Sequence, residues 1–204
     1  MKVQNERKEA ILQEVLELVP FEGWVPSILE KSAKNAGYEP GYAHILFPGG
    51  ITDLVTFFIE WCDKEMLRAL GQLPLQEMKV RERIATAVKT RILQHNQHRN
   101  TIQPTLRFFA QPQHAWLGSK LLGHTCSEIW YVAGDRSSDF NYYTKRFLLA
   151  GVYSSTLLYW LDDNSEGFER TWAFLDRRIQ DALTLGSMNQ KIKQLFGKGK
   201  KTAA

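Results

Sequence analysis

The stretch NAGYEPGYAHILFPGG, residues 35–50, decides how the N-terminal part of this chain is interpreted. Its Ala-Gly pair, the aromatic residue that follows and its Phe-Pro-x-Gly ending have the spacing of the DNA-reading end of a helix-turn-helix motif. Gly37 occupies the position of a helix-terminating glycine, and residues 41–47 are predicted to form a short third helix. Between residues 38 and 60, however, there is no Lys or Arg. The stretch therefore predicts a helix-turn-helix scaffold without the charges that DNA binding needs.

Two helices are predicted before this stretch. Apolar residues recur at helical spacing on the first helix, which is expected to end at Pro20. These residues are Ile11, Val15, Leu18 and Val19. Pro26 suits the first turn of the second helix. The apolar positions of that helix are Ile28, Leu29, Ala33 and Ala36.

Helical periodicity continues after the motif. We expect a long helix over residues 52–70 and another over residues 78–98, followed by a break bracketed by Pro104 and Pro112. A further helix then carries Trp116. Prolines mark the break because they lack a backbone N–H and clash with the preceding helical turn.

The C-terminal part is also predicted to be helical. Ser138 or Asp139 can cap a helix that reaches Leu161. An amphipathic helix follows over residues 168–183, and Gly186 is expected to separate it from a last amphipathic segment. The sequence has neither strand alternation nor internal repeats. The predicted fold class is all-α, with nine or ten helices.

Composition narrows the classes of function. The 204-residue chain has a formal net charge of +4, and its last residues contribute Lys191, Lys193, Lys198, Lys200 and Lys201 with no acid. The remainder is therefore close to neutral, which argues against a nucleic-acid surface over the whole body. The longest apolar stretch, residues 147–161, is shorter than the roughly 20 residues that span a bilayer. A buried core helix is the preferred interpretation.

The first residues of the chain and its two cysteines indicate the cellular compartment. The first residues, MKVQNERKEA, have no apolar segment of a signal peptide, and the absence of a presequence is taken to indicate a bacterial protein. Cys62 and Cys126 share no local motif and suit a reducing compartment. The expected location is cytoplasmic and peripheral on the inner membrane, or the matrix side of the inner membrane in an organelle.

Three helices, a long connecting helix and an apolar bundle resemble the architecture of TetR regulators. In such proteins the third helix enters the major groove, and here that helix offers only Tyr42, His44 and apolar residues. Lys31 and Lys34 lie one helix earlier, and Glu39 adds repulsion. Because affinity for DNA depends on neutralising phosphates, a retained three-helix packing unit is preferred over a DNA reader.

The second half resembles the Coq-nine family of ubiquinone biosynthesis. The runs that carry the resemblance are WYVAGDRSSDFNYYTKR (130–146), LAGVYSSTLLYWLDD (149–163) and FERTWAFLDRRIQDA (168–182). The resemblance implies a TetR-like fold, a homodimer formed through the C-terminal helices, and no catalytic activity or cofactor. It also implies binding of isoprenoid lipids, including ubiquinone intermediates, and partnership with the di-iron demethoxyubiquinone hydroxylase.

This resemblance suggests a division of the chain by function. Residues 1–50 form a helix-turn-helix-like unit, residues 51–186 a helical lipid-binding and dimerisation domain, and residues 187–204 a basic amphipathic tail. Apolar residues at helical spacing are usually core, but several are candidates for contact with lipid. The lipid-binding candidates are Phe57, Phe58, Trp61, Trp116, Leu121, Val152, Tyr153 and Leu157.

The run DFNYYTKR is the candidate surface for the hydroxylase. The resemblance assigns to it Asp139, Asn141, Tyr142, Tyr143 and Arg146, and Tyr and Arg are frequent anchors of interfaces. The alternative interpretation makes Asp139 a helix cap and Arg146 a salt bridge of the fold.

The tail is the candidate membrane anchor. Its apolar residues recur at helical spacing and its lysines form a polar side, as in interfacial helices on anionic lipid. The candidate membrane-binding residues are Met188, Lys191, Ile192, Lys193, Leu195, Phe196 and Lys198. A disordered basic tail is the alternative.

Motifs of catalysis and metal binding are missing from the sequence. His95 and His98 are three apart, but no Asp, Glu or Cys lies near them in the sequence to complete a metal site. The chain has no Glu-x-x-His pair, nucleophile elbow, P-loop or dinucleotide fingerprint. The preferred function is a non-catalytic lipid-binding protein. The alternatives are a TetR-type repressor that responds to a ligand, and an unrecognised enzyme of the same pathway.

Overall fold

The computed structural model describes residues 2–135 and 140–198, with side chains for residues 3–135 and 142–185. Its regular elements within these ranges are all helical, which confirms the predicted fold class. The α-helices described are α1 (Lys2–Glu22), α2 (Ser27–Asn35), α3 (Tyr42–Leu46), α4 (Ile51–Leu70), α5 (Val80–Leu93), α6 (Arg99–Ala110), α7 (Pro112–Val132), α8 (Phe140–Leu161) and α9 (Glu169–Lys198). Short 3-10 turns cover Leu75–Glu77, Asn96–His98 and Glu166–Phe168.

The described chain folds as two compact units. The first unit holds the described residues of 1–69 and 93–121, and the second holds those of 70–92 and 122–204. The functional division predicted at residues 50 and 186 is a different partition and stays a prediction.

In the first unit, α1 packs against α2, α3 and α6. The predicted apolar stripe of α1 is largely buried, as are Leu12 and Leu16 beside it. The end of α2 is closed by two backbone hydrogen bonds, from Gly37 N–H to Lys34 O at 3.0 Å and from Tyr38 N–H to Ala33 O at 2.9 Å. Gly37 has a φ of +80°, which is why a glycine suits this turn. The predicted third helix is α3.

Two of the three prolines expected to end or interrupt helices lie inside them instead, and these two predictions are wrong; Pro112 begins α7 as the break predicted. Pro20 lies within α1 and Pro104 within α6. Because Pro20 has no N–H for the carbonyl of Leu16, another donor is required, and Thr101 Oγ1 donates to that carbonyl at 3.3 Å. The partner is 85 residues away in sequence, so local pattern does not reveal it.

A short polar relay ties the end of α1 to α6. Trp24 Nε1 donates to Thr105 Oγ1 at 2.9 Å. Thr105 Oγ1 in turn donates to the carbonyl of Thr101 at 2.8 Å. All three residues are buried, and a buried polar group that keeps its hydrogen bond avoids the cost of desolvation. The relay therefore links Trp24, just after α1, to two successive turns of α6.

In the second unit, α8 and α9 pack along each other. The turn between them is organised by Asp163, whose carboxylate accepts hydrogen bonds from Ser165 N–H at 2.9 Å and from Thr171 N–H at 2.9 Å. The hydroxyls of the same two residues also donate to it, at 2.7 Å and 2.6 Å. Asp163 thereby satisfies a free N–H at the start of α9.

Two further boundaries and the burial of one helix differ from the predictions. The helix expected over residues 78–98 ends at Leu93, and a 3-10 turn and α6 follow. The backbone of α9 continues through Gly186, which does not separate two segments. Helix α8 is not wholly buried, since Phe147 and Leu158 on one side of it are exposed. The caps proposed at Ser138 and Asp139 lie outside the described residues.

Candidate functional site

The end of α7 and the first turns of α8 are joined by polar side chains. Asp135 accepts a hydrogen bond from Lys145 Nζ at 2.7 Å and a longer one from Arg146 Nη1 at 3.4 Å. Arg146 Nε also donates to Ser127 Oγ at 3.0 Å. Trp130 Nε1 donates to the carbonyl of Lys145 at 3.1 Å. These contacts fix the orientation of α8 where it begins.

Three residues of α8 form a cluster that we call the tyrosine patch: Tyr142, Tyr143 and Arg146. The guanidinium carbon of Arg146 lies 3.3 Å from the ring centre of Tyr142. Tyr143 meets that ring edge-on, with 5.1 Å between ring centres, and is 72% exposed. Arg146 thus holds Tyr142 in place, and Tyr143 is the residue most open to a partner.

The structure describes part of the predicted partner surface. Tyr142, Tyr143 and Arg146 lie together, whereas Asp139 and the side chain of Asn141 lie outside the described residues. The salt bridge considered for Arg146 is present, with Asp135 as its acid. The sequence analysis missed Asp135 and its second partner, Lys145. Both lie in the run of residues 130–146 that carries the family resemblance, but no local sequence pattern indicates that their side chains meet.

A second feature is an exposed apolar surface, the α8–α9 face, formed by Phe147, Gly151, Leu158, Ala182 and Leu185. Phe147 is 79% exposed. Beside it lies a hollow of about 400 Å³, lined by residues of α7, α8 and α9. This volume is within the range of small-molecule pockets, and small residues at its floor leave room for an incoming side chain or chain of CH₂ groups.

The polar groups around this hollow are largely engaged. Ser155 Oγ donates to the carbonyl of Gly151 at 2.7 Å within α8. Arg178 and Asp181 of α9 form an ion pair at 2.7 Å. The hollow therefore presents mostly apolar atoms, with one charged pair at its edge.

The lipid-binding candidates are distributed over both units. In the first unit Phe57, Phe58 and Leu121 are buried and Trp61 is half-buried. In the second unit Val152, Tyr153 and Leu157 are buried on α8. Val152 also lines the hollow of the α8–α9 face.

Trp116 does not lie in an apolar interior, which corrects its assignment as a cavity residue. It is 81% exposed near the start of α7. The neighbouring turns of α7 face α6 through other residues: the His114 ring stacks on Phe108 at 4.0 Å, and Phe109 lies close against Gly118. Trp116, two residues from each contact, consequently projects away from α6.

The third helix is occupied by contacts within its own unit. Arg7 donates a hydrogen bond to the hydroxyl of Tyr42, which raises the pKa of the guanidinium. His44 Nε2 lies 3.0 Å from Glu30 Oε1. The two side chains considered for contact with DNA therefore have partners, one of them an acid that repels phosphate. These contacts argue against the repressor alternative.

The histidines considered for metal binding have other surroundings. His95 Nδ1 lies 3.5 Å from Cys62 Sγ, and both residues are buried. Burial lowers the pKa of His98, while the nearby Glu17 carboxylate acts in the opposite direction. Among the residues that the structure describes, no three His, Cys, Asp or Glu side chains are placed to hold a metal ion.

The proposed membrane anchor lies at the end of α9. Its backbone is helical as far as Lys198, but the side chains of all seven candidate membrane-binding residues lie outside the described part. No helix in the described residues combines the length and the apolar character needed to cross a bilayer.

Comparison with known proteins finds relatives of one family. A family model described as COQ9 matches residues 116–186. The mitochondrial ubiquinone biosynthesis protein COQ9 of Rattus norvegicus is 31% identical over 199 residues, which cover 93% of this chain and 63% of the relative. The corresponding COQ9-B protein of Xenopus laevis is 31% identical over 196 residues, covering 93% and 67%. The chain thus spans less than two thirds of the rat protein.

Comparison with solved structures shows the fold. The crystal structure of a TetR transcriptional regulator from Nitrosomonas europaea matches with a TM-score of 0.71, covering 86% of this chain and 97% of that chain. The two sequences are 18% identical. The predicted TetR-like fold is confirmed, and at this identity the likeness concerns the fold alone.

Proposed function

The chain belongs to the COQ9 family, and on that basis we propose that it is a non-catalytic accessory protein of ubiquinone biosynthesis. It binds an isoprenoid quinone precursor and presents it to the di-iron hydroxylase that acts on demethoxyubiquinone. The relatives compared above are ubiquinone biosynthesis proteins, which supports the pathway. The single observation that carries the role is the tyrosine patch, an exposed aromatic cluster on a rigidly held helix.

A carrier is needed because of the physical properties of the substrate. Each buried CH₂ group stabilises a lipid in the bilayer by about 0.8 kcal/mol, so a polyprenyl chain does not leave unaided. Apolar side chains from either unit supply the contacts that replace the bilayer. The proposed contacts are Phe57, Phe58, Trp61, Leu121, Val152, Tyr153 and Leu157.

The tyrosine patch suits a protein partner. Tyrosine and arginine dominate binding hot spots because they combine a large apolar area with polar tips. Arg146 is held by Asp135 and Ser127 before any partner arrives, so little side-chain entropy is lost on binding. Asp139 and Asn141 belong to the same proposed surface.

Self-association belongs to the proposal as well. The α8–α9 face places a projecting Phe147 beside a hollow floored by Gly151 and Ala182. In a two-fold dimer the same patch meets its own copy, and a projecting side chain from one copy can enter the hollow of the other. We therefore assign this face to the homodimer.

The membrane supplies the substrate, and the tail gives access to it. Met188, Ile192, Leu195 and Phe196 form the apolar side of an interfacial helix, with Lys191, Lys193 and Lys198 toward anionic headgroups. A dimer presents two such tails, which raises avidity. The relatives named above are mitochondrial proteins. The proposed location is peripheral, on the inner membrane.

The lipid is tested directly on the purified full chain. Native mass spectrometry and organic extraction are expected to find an isoprenoid lipid bound to a dimer. Repeated preparations from membranes that contain ubiquinone, all free of lipid, would contradict the proposal. Conversion of a prenylated quinone by the protein alone would instead show an enzyme.

The partner surface is tested by Tyr143→Ala. Because Tyr143 is exposed, the variant should keep its thermal stability but bind the hydroxylase at least about tenfold more weakly, as expected for an interface anchor. Ile45→Ala, which removes a similarly exposed apolar residue of the other unit, is the matched control. Equal binding by the wild type and Tyr143→Ala in surface plasmon resonance would exclude the tyrosine patch as the docking surface.

A further inference from the structure

We propose that the first unit carries its own contact surface for an anionic bilayer, separate from the C-terminal tail. This surface, the α6–α7 corner, comprises Phe21, Arg107, Gln111, Trp116 and Lys120. The α6–α7 corner is distinct from the proposed lipid-carrier contacts, since it is the place where the folded body meets the membrane. It requires neither a bound quinone nor a hydroxylase.

One half of the corner is a hollow of about 340 Å³ between the end of α1 and the end of α6. Phe21 lines it and is 89% exposed. Arg107 of α6 and Gln111, which follows α6, also line it. Glu22 is the acid at its edge, and Lys31 Nζ holds the Glu22 carboxylate at 2.7 Å, which offsets its charge.

The other half is the start of α7. Gln111 immediately precedes α7, and at a rise of 1.5 Å per residue the Cα atoms of Gln111 and Trp116 lie about 8 Å apart along the helix. Trp116 points away from α6, as the contacts of His114 and Gly118 require. Lys120 follows one helical turn later and is exposed. Gln111, which lines the hollow and immediately precedes α7, therefore connects the two halves.

The charge pattern favours an anionic bilayer as the occupant. Residues 83–127 contain no Asp or Glu, so α6 and the first part of α7 offer only basic and neutral polar groups. Tryptophan prefers the interface between water and hydrocarbon, and lysine and arginine beside it are attracted to anionic headgroups. A nucleic-acid site would need many more cations to neutralise phosphates.

The surface is tested by flotation of the full chain with two kinds of vesicle, phosphatidylcholine alone and phosphatidylcholine mixed with phosphatidylglycerol. The double variant Phe21→Ser with Trp116→Ser should bind mixed vesicles about tenfold more weakly. Arg107→Gln with Lys120→Gln should remove most of the preference for the anionic mixture. All four side chains are exposed, so circular dichroism should show an unchanged fold.

Two controls separate this surface from others. Ile45→Ser removes a residue of the same unit that is 70% exposed and should leave binding unchanged. Leu195→Glu with Phe196→Glu alters the tail, and the corner variants should weaken binding further in that background. If only the tail variant lowers binding, the corner is not a membrane surface. If the corner variants spare vesicle binding but abolish hydroxylase binding, the corner is a protein interface.

A second measurement locates Trp116 itself. Lipids brominated near the headgroup quench the fluorescence of a tryptophan that enters the bilayer. Trp116→Phe keeps an aromatic side chain and should reduce the quenched fraction of the total emission. Identical quenching of the wild type and Trp116→Phe would overturn the proposal.

Discussion

At the scale of single residues, Asp163 shows how one carboxylate organises a turn. It receives four hydrogen bonds from Ser165 and Thr171. Burial by itself would raise the pKa of Asp163, but the hydrogen bonds outweigh burial and hold the pKa well below the usual range. The ionised form therefore stabilises the fold wherever the unfolded carboxyl is also ionised.

Asp163→Asn should lower the melting temperature by several degrees at neutral pH. Because the folded pKa is depressed, the stabilisation is complete above the unfolded pKa of about 3.9 and is lost as the pH falls toward the folded value. The difference in melting temperature between wild type and variant should therefore shrink below about pH 4. Asp162→Asn, an exposed neighbour, is the matched control and should melt like the wild type in calorimetry.

At the scale of elements, α1 keeps Pro20 inside it with help from α6. Thr101 of α6 donates to the carbonyl of Leu16 that Pro20 leaves without its usual donor. The relay through Trp24 and Thr105 lies beside it. Helix α1 thus replaces one local hydrogen bond with a contact from another element.

Thr101→Val should lower the free energy of unfolding by about 1 kcal/mol, since the carbonyl of Leu16 loses a buried donor. In the Pro20→Ala variant the restored N–H of residue 20 can donate to the carbonyl of Leu16. Thr101→Val should therefore lower the free energy of unfolding by less in this background than in the wild type. Urea denaturation of the four proteins gives the coupling energy. Thr56→Val removes a hydroxyl bonded within its own helix and should be additive with Pro20→Ala. If the effects of Thr101→Val and Pro20→Ala were also additive, Thr101 would not compensate for the N–H that Pro20 lacks.

The α8–α9 face allows a clean test of the proposed dimer. A Cβ added at Gly151 meets no atom within 4 Å, so Gly151→Leu should fold normally while filling the hollow. We expect the dissociation constant of the dimer to rise at least about tenfold, because a packed interface tolerates extra volume poorly. Gly123→Leu has equally open surroundings and does not line the hollow. Sedimentation equilibrium that finds both variants equally dimeric would exclude this face.

At the scale of the whole molecule, the sequence segregates its charge. The tail carries lysines without acids, residues 83–127 carry no acid, and acids lie elsewhere along the chain. A chain with a net charge of only +4 can still present local positive surfaces to a membrane. Binding to anionic vesicles should therefore depend on these segments rather than on net charge.

Membrane association of the intact protein should weaken as salt rises, because ions screen surface charges beyond about 10 Å at 0.1 M. Ile192→Glu with Phe196→Glu should reduce the bound fraction several-fold at every salt concentration, since it removes apolar contact. Ile192→Val with Leu195→Ile keeps that contact and serves as the control. Vesicle co-sedimentation independent of both salt and the tail variant would exclude the amphipathic anchor.

Several features followed from sequence because they depend on near neighbours. The helical class came from the spacing of residues such as Ile11 and Val15, and the end of α2 from Gly37, whose backbone conformation favours glycine. The runs of the second half indicated the family. Tyr142 and Arg146 are four residues apart on a helix, so their contact was within reach of the same reasoning.

Other features were decided only by tertiary structure, because they depend on partners far away in sequence. Pro20 remains inside α1 because Thr101 reaches it from α6. Trp116 is exposed because His114 and Gly118 are the residues of α7 that meet α6. Periodicity identifies an apolar side chain, but whether that side chain is buried depends on which other helix covers it.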